Sequence, residues 1–476
     1  MNNFKQKALI SALAGAGALA MAGAANAVYV NQDGLGQALV YPYYTVRGGN
    51  VTLVSVVNTT TQAKAVKVRF LEGKNSVEVL DFNLFMSAKD VWTGAIVATA
   101  NGATIVTADR SCTNPRIPAA GADFRNTLFL NDAAVLQSLD RTREGYVEML
   151  EMATIPNGTA LGVAVTHSAG TAPCTTARIN DAGFTSATGL AAPSGGLFGN
   201  GTILNALGGA STGYEATAFD GWTTRIFPTN SGSLFPNLSS GSSKVSVVNN
   251  NGAVYVANWL TSIDAVSATI MHSAVYGEYA YTTDKVIGTD WIITMPTKNQ
   301  YVTATSVTTP FQNAYSTTSG TSCDDVSLIG YDREEVTSST PDDFSPRPPS
   351  GRNSLCYEAN VITFGGTSTL ASTNVANVNP IQNGGVEVLA AGKEGGWLEL
   401  AFTAPTAQYG TSTGSITTTS TGTAITTTGP QTYFGLPTIG FVFTGASYKT
   451  GNPQQNYSSS YGLRFQRTIT GAVTPF

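Results

Sequence analysis

Charged side chains are scarce in this chain, because Asp, Glu, Lys and Arg together make up only 12% of its 476 residues. That is about half the share found in a typical globular protein. Threonine, serine, asparagine and glycine must therefore cover much of the surface, as in many extracellular β-proteins. A nucleic-acid partner would need a dense Lys/Arg face, so the composition argues against one. The net charge of -5 is too small over this length to steer a partner strongly.

Histidine is nearly absent, with only His167 and His272 in the sequence. Each is followed by Ser-Ala. A histidine can serve as a general base, but the pattern offers no obvious nucleophile partner for either, so a hydrogen-bonded structural role is favoured. Matches to the serine hydrolase motif Gly-x-Ser-x-Gly occur at 209–213 and 410–414. Both lie in Gly/Ser/Thr-rich sequence without the amphipathic helix that follows such a nucleophile, so neither is expected to be catalytic.

Paired carboxylates of the kind used in glycoside hydrolysis are not evident either. Glu148 and Glu151 are three residues apart, so on an extended strand their side chains face opposite sides. They would converge on one glycosidic bond only across a β-bulge. No catalytic residue is predicted, and a non-enzymatic role is favoured over an enzymatic one. For the alternative of a secreted polysaccharide-active hydrolase, the residues to test are Glu148, Glu399, His167 and His272.

Cysteine is also rare, and the four cysteines are far apart along the chain. An even count in an exported protein indicates two disulfides. A metal site is disfavoured, because no two cysteines lie close together and few histidines could join them. Three pairings are possible, and the order along the chain suggests Cys112 with Cys174 and Cys323 with Cys356.

The N-terminus has the three-part pattern of a secretory signal peptide. Lys5 and Lys7 give a positive start, residues 8–24 are almost entirely apolar, and Ala25-Asn26-Ala27 has the spacing that a signal peptidase accepts. We expect residues 1–27 to be removed, which predicts a secreted or cell-surface protein, with the periplasm as a further destination. An uncleaved N-terminal anchor is the alternative. No second long apolar run follows, so no transmembrane helix is expected in the mature chain.

Strand patterns dominate the rest of the sequence. Val66, Val68 and Phe70 alternate with Lys67 and Arg69, which is the period of a half-buried strand. Similar alternation recurs along the chain, so the fold is predicted to be mainly all-β, with few short helices. The chain is too long for one ordinary hydrophobic core, which predicts two or three domains, and we favour two β-sandwich-like domains.

A hairpin is predicted directly after this first strand. Residues 72–75 have the composition of a turn, and Val77 and Val79 begin the return strand in phase. After Val79 the apolar phase slips by one residue, which predicts a β-bulge. The best helix signal in the chain covers 133–139.

Weak internal repetition predicts two related domains. Residues 54–58 recur as 245–249, and the Ser/Gly/Pro-rich stretch 228–243 is the best linker between the halves. We therefore predict an N-terminal domain at 28–227 and a C-terminal domain at 244–476, with gene duplication as one explanation and chance similarity as the other. The further matched pairs are 90–92 with 290–291, and 145–149 with 396–400.

Two loops interrupt the strand pattern. Residues 410–429 are nearly all Thr, Ser and Gly, and residues 324–349 are rich in Asp, Glu and Pro between two cysteines. Calcium is the ligand that the oxygen donors of the acidic loop favour, while a solvated loop balanced by nearby arginines is the alternative. The candidate ligands are Asp324, Asp325, Asp332, Glu334, Glu335, Asp342 and Asp343.

An outer-membrane β-barrel is a further alternative, because the chain ends in Phe476. Tyr461, Leu463 and Phe465 share one face of a strand near that end. Arg467 lies on the same face, however, and the proline content and predicted disulfides favour a sandwich over a barrel.

Several segments together resemble a family of exported Gram-negative bacterial proteins that has no assigned activity. They are 34–37, 41–45, 143–148, 290–291 and 296–298. The resemblance covers most of the mature chain and implies a surface or extracellular role, and it transfers no catalytic or binding residues. We therefore expect a non-enzymatic structural or interaction protein of the cell exterior, which binds itself, other surface proteins or glycans.

Overall fold

The computed structural model describes residues 27–206, 209–282, 284, 286–333, 353–364, 366–376, 378, 382–383, 386–387, 394–402, 411–412, 431–448 and 455–471. Most of these residues lie in strands, and the helices are few and short. The strands belong to several sheets that pack as sandwiches. The prediction of a mainly all-β fold is therefore confirmed.

The strands are numbered in chain order. They are β1 Ala27–Val30, β2 Ala38–Thr45, β3 Asn50–Asn58, β4 Ala63–Glu72, β5 Glu78–Met86, β6 Val91–Ala98, β7 Ala103–Val106, β8 Cys112–Asn114, β9 Ala122–Asp123, β10 Glu144–Ile155, β11 Leu197–Asn205, β12 Ala210–Glu215, β13 Thr217–Asp220, β14 Val245–Asn250, β15 Ala253–Asn258 and β16 Met271–His272. They continue as β17 Ala274–Ala280, β18 Ile287–Thr294, β19 Asp324–Asp325, β20 Ser327–Asp332, β21 Ser354–Leu355, β22 Ala359–Phe364, β23 Gln382–Asn383, β24 Val386–Glu387, β25 Gly395–Ala401, β26 Thr411–Ser412, β27 Thr432–Phe434, β28 Leu436–Pro437, β29 Ile439–Tyr448, β30 Gln455–Gly462, β31 Arg464–Gln466 and β32 Thr468–Thr470.

Short helices lie on the connections between strands. The α-helices are α1 Ala160–Val165, α2 Thr176–Ile179, α3 Asp181–Thr185 and α4 Ser262–Thr269. The 3-10 turns are Arg47–Gly49, Ala134–Leu136, Leu139–Arg143, Leu238–Ser240 and Lys298–Gln300. The helix predicted at 133–139 is thus a three-residue 3-10 turn at Ala134–Leu136, and Ala133 before it supplies no side-chain cap. In the described residues, no helix is long and apolar enough to cross a membrane.

Two sheets form the first sandwich. The larger has the strand order β15-β14-β1-β13-β2-β10-β4-β5-β8, and the smaller has the order β12-β11-β3-β6-β7-β9. Large side chains on the facing sides, including Tyr41, Val68, Phe70 and Trp92, are completely buried between them. This burial of apolar area is the main term that stabilises the sandwich.

The outer side of the larger sheet is also covered. Lys67 and Arg69 of β4 point away from the core, yet both are buried. Lys67 Nζ donates to the backbone oxygen of Ser231 at 2.6 Å, so the segment after β13 folds back over the strand. The expectation of a strand buried on only one face is wrong here, because a connecting segment supplies a second layer.

The predicted hairpin of β4 and β5 is confirmed, with its bulge. Phe70 pairs with Leu80 while Leu71 pairs with Glu78, so Val79 is the extra residue. The Glu72 carboxylate accepts hydrogen bonds from the backbone N–H groups of the turn, with Lys74 at 2.8 Å. The bulge therefore changes the apolar phase without breaking the pairing.

A second sandwich forms from the C-terminal half. Its sheets have the orders β20-β25-β17-β31 and β22-β18-β29-β30. Trp291, Phe364, Leu398 and Leu400 are completely buried between them. Gly277 of β17 is needed here, because a Cβ at that position would stand 2.6 Å from the Trp291 ring.

The two sandwiches share a sheet that contributes side chains to both of their cores. Ile292 and Phe441 lie on the side of β18 and β29 that packs into the first core, while Trp291 and Val442 lie on the side that packs into the second. The Phe441 ring stacks on Tyr214 of β12, with ring centroids 4.6 Å apart. The central strands β18 and β29 of this middle sheet are therefore covered on both faces.

The segment that follows the predicted linker joins the N-terminal sheet. β14 pairs in parallel with β1, with Val28 opposite Ser246, so the sheet boundary does not fall at 228–243. The repeated segments 54–58 and 245–249 also lie in different sheets, in β3 and β14. The division into domains and the duplication remain predictions.

Two disulfides are present, as predicted. One joins Cys112 and Cys174, and the other joins Cys323 and Cys356. The first connects β8 to the segment that precedes α2. The second lies beside the short ladder of β19 and β21, in which Asp324 pairs with Leu355.

Candidate functional site

The acidic loop begins with carboxylates that belong to strands. Asp324 is fully buried, and its carboxylate accepts hydrogen bonds from Lys298 Nζ at 2.7 Å and from the backbone N–H of Gln312 at 2.8 Å. Burial raises the pKa of Asp324, and the Lys298 ammonium opposes that rise. Asp325 ends β19, and Asp332 ends β20 with only 4% of its surface exposed. Both carboxylate oxygens of Asp324 thus already accept hydrogen bonds within the protein, which leaves fewer lone pairs for a metal ion.

The other candidate calcium ligands lie outside the described residues: Glu334, Glu335, Asp342 and Asp343. In the part of the chain that the structure describes, no cluster of three or more His, Cys, Asp or Glu side chains could hold a metal ion. The Thr-rich loop 410–429 also lies outside, apart from Thr411–Ser412. Calcium binding therefore remains a prediction.

Glu148 and Glu151 lie in separate buried ion pairs. Glu148 accepts from Arg69 Nη1 at 2.5 Å, and Glu151 accepts from Lys64 Nζ at 2.6 Å. Both carboxylates are almost completely buried, and burial raises the pKa of each while its basic partner opposes the rise. The loss of one partner would leave a buried charge uncompensated, so these pairs hold β4 against β10.

His272 lies in the core of the second half. It stacks on Phe465 with ring centroids 4.3 Å apart, and its Nδ1 lies 3.2 Å from the Thr438 hydroxyl. Burial lowers the pKa of His272 well below its usual value, and the nearby Arg467 lowers it further. The imidazole is therefore neutral at physiological pH.

His167 forms a serine–histidine–aspartate cluster that sequence reasoning missed. Its Nδ1 lies 2.7 Å from Ser87 Oγ and 3.5 Å from Asp90 Oδ2. In a catalytic triad the serine and the aspartate contact opposite ring nitrogens. Here both approach the same nitrogen, so the cluster holds a loop but does not match a hydrolase triad. Ser211, from the motif match at 209–213, lies within strand β12 rather than on a strand-to-helix turn.

A cavity of about 200 Å³ lies at the junction between the two sandwiches. Its walls include Lys74, Asp132, Lys298, Tyr315 and Glu358. Burial raises the pKa of Glu358 to about 8, so at neutral pH this carboxyl retains its proton. The cavity thus combines a neutral carboxyl with two lysines, of which Lys298 already donates to Asp324 and to the backbone oxygen of Ser322.

An exposed group of rings lies on the outer side of sheet β20-β25-β17-β31. The Trp397 ring stacks on Tyr331 with centroids 4.4 Å apart and an interplanar angle of 14°, and Tyr276 lies 6.3 Å from Trp397 on its other side. Trp397 is 38% exposed and Ile329 is 45% exposed. We call this surface the aromatic face, and its members are Tyr276, Glu278, Ile329, Tyr331, Trp397, Glu399 and Arg464.

Strand register places these side chains in two rows. In the first row Ile329, Glu399, Tyr276 and Arg464 lie directly across from one another on neighbouring strands. In the second row Tyr331, Trp397 and Glu278 do so. Residues between these positions, such as Leu398 and Leu400, point inward to the core.

Sequence reasoning did not find the aromatic face, although one signal was present. Trp397 and Glu399 alternate with buried Leu398 and Leu400, which marks an amphipathic strand with an exposed ring. The partners Tyr331 and Tyr276 come from strands that precede it by many residues, so only the pairing brings the rings together.

Comparisons of the chain with protein-family models, with curated proteins and with solved structures found no match. The predicted resemblance to an exported bacterial family is therefore not tested by them.

Proposed function

We propose that this chain is an exported protein of the cell exterior and acts by binding through its aromatic face. The observation that carries the proposal is a group of partly exposed rings, in which Tyr331 stacks on Trp397 and Tyr276 lies tilted beside them. Apolar ring surface that is exposed to water is energetically unfavourable, and large aromatic side chains are enriched where a protein recognises a partner.

Export is supported by two independent features. The N-terminal pattern of residues 1–27 is that of a secretory signal. The disulfides Cys112–Cys174 and Cys323–Cys356 are of the kind that persists in oxidising compartments. The resemblance to exported Gram-negative proteins favours the same compartment.

A binding role is favoured over catalysis by what the ionisable side chains do. Glu148, Glu151 and Asp324 each contact a buried base that also connects two strands or segments. These groups therefore stabilise the fold, whereas the aromatic face presents its rings to the outside.

Cell fractionation and a cell-binding assay test the proposal together. We expect the expressed protein outside the inner membrane, with Val28 as its first residue, and we expect purified protein to bind washed cells. Trp397→Ala should reduce that binding, while Phe235→Ala, which removes an exposed ring elsewhere, should leave it unchanged. Unprocessed protein in the cytosol, or turnover of a polysaccharide by the purified protein, would contradict the proposal.

A further inference from the structure

We infer that the aromatic face binds a neutral polysaccharide chain, which rests on the proposed function and specifies its partner. The surface combines ring systems with carboxylates at fixed positions across three strands. Each of these two features matches one part of a sugar unit. Their arrangement also favours a neutral polysaccharide over a protein partner and over an acidic polysaccharide.

The ring systems match the apolar side of a pyranose. An aromatic ring carries negative charge on its faces and positive charge at its edge. The axial C–H groups of a pyranose are weakly positive and form an apolar patch, so they pack favourably on a tyrosine or tryptophan face. Tyr331 lies on the outermost strand of the sheet, so Trp397 covers only one side of its ring. Its other side faces away from the neighbouring strand.

The carboxylates match the hydroxyl rim of the sugar. Glu399 lies between Ile329 and Tyr276 in the first row, and Glu278 lies beside Trp397 in the second. An ionised carboxylate only accepts hydrogen bonds and has two oxygens to do so. Adjacent sugar hydroxyls can donate to both oxygens, and such charge-assisted hydrogen bonds are stronger than neutral ones.

A protein partner fits this surface less well. The buried centre of a protein–protein interface is depleted in charged residues, and glutamate is among the types that are depleted. In the aromatic face, Glu399 lies in the centre of its row, between an apolar and an aromatic side chain. A dry apolar partner would desolvate this carboxylate without giving it a hydrogen-bond donor.

Local charge disfavours an acidic polysaccharide. Glu278 and Glu399 contribute two negative charges, and Arg464 at the end of the first row contributes one positive charge. The face is therefore net negative, as is the whole chain at -5. An anionic polymer would be repelled, whereas a neutral one would not.

The shape of the face favours a chain over a single sugar. The side chains lie on the open side of a sheet, and the two rows span its four strands, β20, β25, β17 and β31. An open platform gives one sugar few contacts, so affinity must come from several units bound side by side.

Affinity electrophoresis of the full mature protein tests the inference. The native gels contain soluble hydroxyethylcellulose, mixed-linkage β-glucan or galactomannan as neutral probes, and polygalacturonate as the acidic probe. We expect at least one neutral probe to retard the protein, and polygalacturonate to retard it less. Trp397→Ala and Tyr331→Ala should each weaken that retardation at least tenfold, and Glu399→Ala should weaken it as well.

Controls separate a lost site from a lost fold. Phe235→Ala removes a ring that is 56% exposed outside the aromatic face, so it should migrate like the unchanged protein. Circular dichroism and a thermal melt of every variant should show the unchanged fold. If Trp397→Ala unfolds, Tyr331→Ala and Glu399→Ala on the folded protein still decide the question.

The results of these experiments distinguish a failure of the glycan inference from a failure of the proposed function. If folded protein is retarded by no neutral probe, or if the face variants are retarded as strongly as the unchanged protein, the glycan inference is wrong. If washed cells still bind the protein through Trp397 after such a result, the proposed binding function stands with another partner. If polygalacturonate is the preferred probe, the charge argument and the inference fail together.

Discussion

Glu358 shows how a single buried carboxyl responds to the junction between the two sandwiches. It is 3% exposed, and it accepts a hydrogen bond from the hydroxyl of Ser76. Tyr146 in turn donates to Ser76 Oγ at 2.6 Å. Burial raises the pKa of Glu358 to about 8, while Ser76 and the ammonium of Lys298 lower it, and Glu72 raises it. Burial thus outweighs the two stabilising contacts.

Replacing Glu358 by Gln should make the free energy of unfolding less dependent on pH. The carboxyl has its usual pKa of 4.5 in the unfolded chain and a pKa of about 8 in the folded one. The protonated carboxyl therefore contributes its full share of the unfolding free energy below pH 4.5, and this contribution is lost as the pH rises through about 8. The loss amounts to about 1.4 kcal/mol for each pH unit between them.

Urea unfolding at about pH 5 and about pH 9 measures this difference. Relative to the unchanged protein, Glu358→Gln should be more stable at the higher pH than at the lower one. Glu215→Gln, at an exposed position of β12, is the matched control and should show no such change. An equal effect of Glu358→Gln at both pH values would contradict the prediction.

Arg141 connects three segments through charge. Its guanidinium donates to Glu72 at 2.7 Å and 3.0 Å and to Asp132 at 2.5 Å. The hydroxyl of Tyr315, from the C-terminal half, donates to the same Asp132 at 2.9 Å. Because Glu72 is completely buried, it depends on this cation.

Arg141→Met should destabilise the fold strongly, because it leaves Glu72 as an uncompensated buried charge. We expect a loss of about 3–5 kcal/mol in the free energy of unfolding, measured by urea denaturation at neutral pH. Acidification should reduce the loss, since a protonated Glu72 needs no partner. The same change at exposed Arg110 should cost little, and a similar cost at both positions would contradict this role.

At the scale of elements, the alternation of apolar and polar residues predicted the strands well, but it did not predict how many layers would cover them. The β4–β5 hairpin and its bulge at Val79 follow from local phase, which depends only on neighbouring residues. The burial of Lys67 and Arg69 does not, because it depends on a segment near Ser231 that follows much later in the chain. The period of two identifies a strand, but it does not say how many layers cover it.

The aromatic face could not be predicted for a related reason. Trp397, Tyr331 and Tyr276 lie on three strands whose order in the sheet, β20-β25-β17, differs from their order in the chain. A shift of one residue in any register would turn its ring toward the core. Only the paired register reveals the surface.

The disulfides stabilise elements that have little core of their own. Cys112–Cys174 closes a separation of 62 residues and holds the three-residue strand β8 beside α2. In the chain-entropy model, its removal should cost about 4 kcal/mol of unfolding free energy. Cys323–Cys356 closes only 33 residues, so its removal should cost roughly 0.6 kcal/mol less.

Paired Cys→Ser variants and urea denaturation test that order. Cys112→Ser/Cys174→Ser should lose more stability than Cys323→Ser/Cys356→Ser, with both variants still showing a β-sheet spectrum. If opening the shorter loop proved the more costly, the packing of the folded state around that bridge would outweigh the entropy of the unfolded chain.

At the scale of the whole molecule, the two halves share their interior. The middle sheet places Ile292 and Phe441 in the first core and Trp291 in the second. Strand β14 of the C-terminal half pairs with β1 at the start of the described chain. Neither half can therefore complete its apolar burial without the other.

This sharing predicts one cooperative unfolding transition. Phe441→Ala removes a ring that is 3% exposed and stacks on Tyr214 of the other half, so we expect a loss of about 3–5 kcal/mol. Phe402→Ala, at a 1% exposed position in the second core, should shift the same single transition in calorimetry. Two separated transitions, of which Phe402→Ala moves only one, would mean that the sandwiches unfold independently. The shared middle sheet would then be an interface between domains rather than part of a common core.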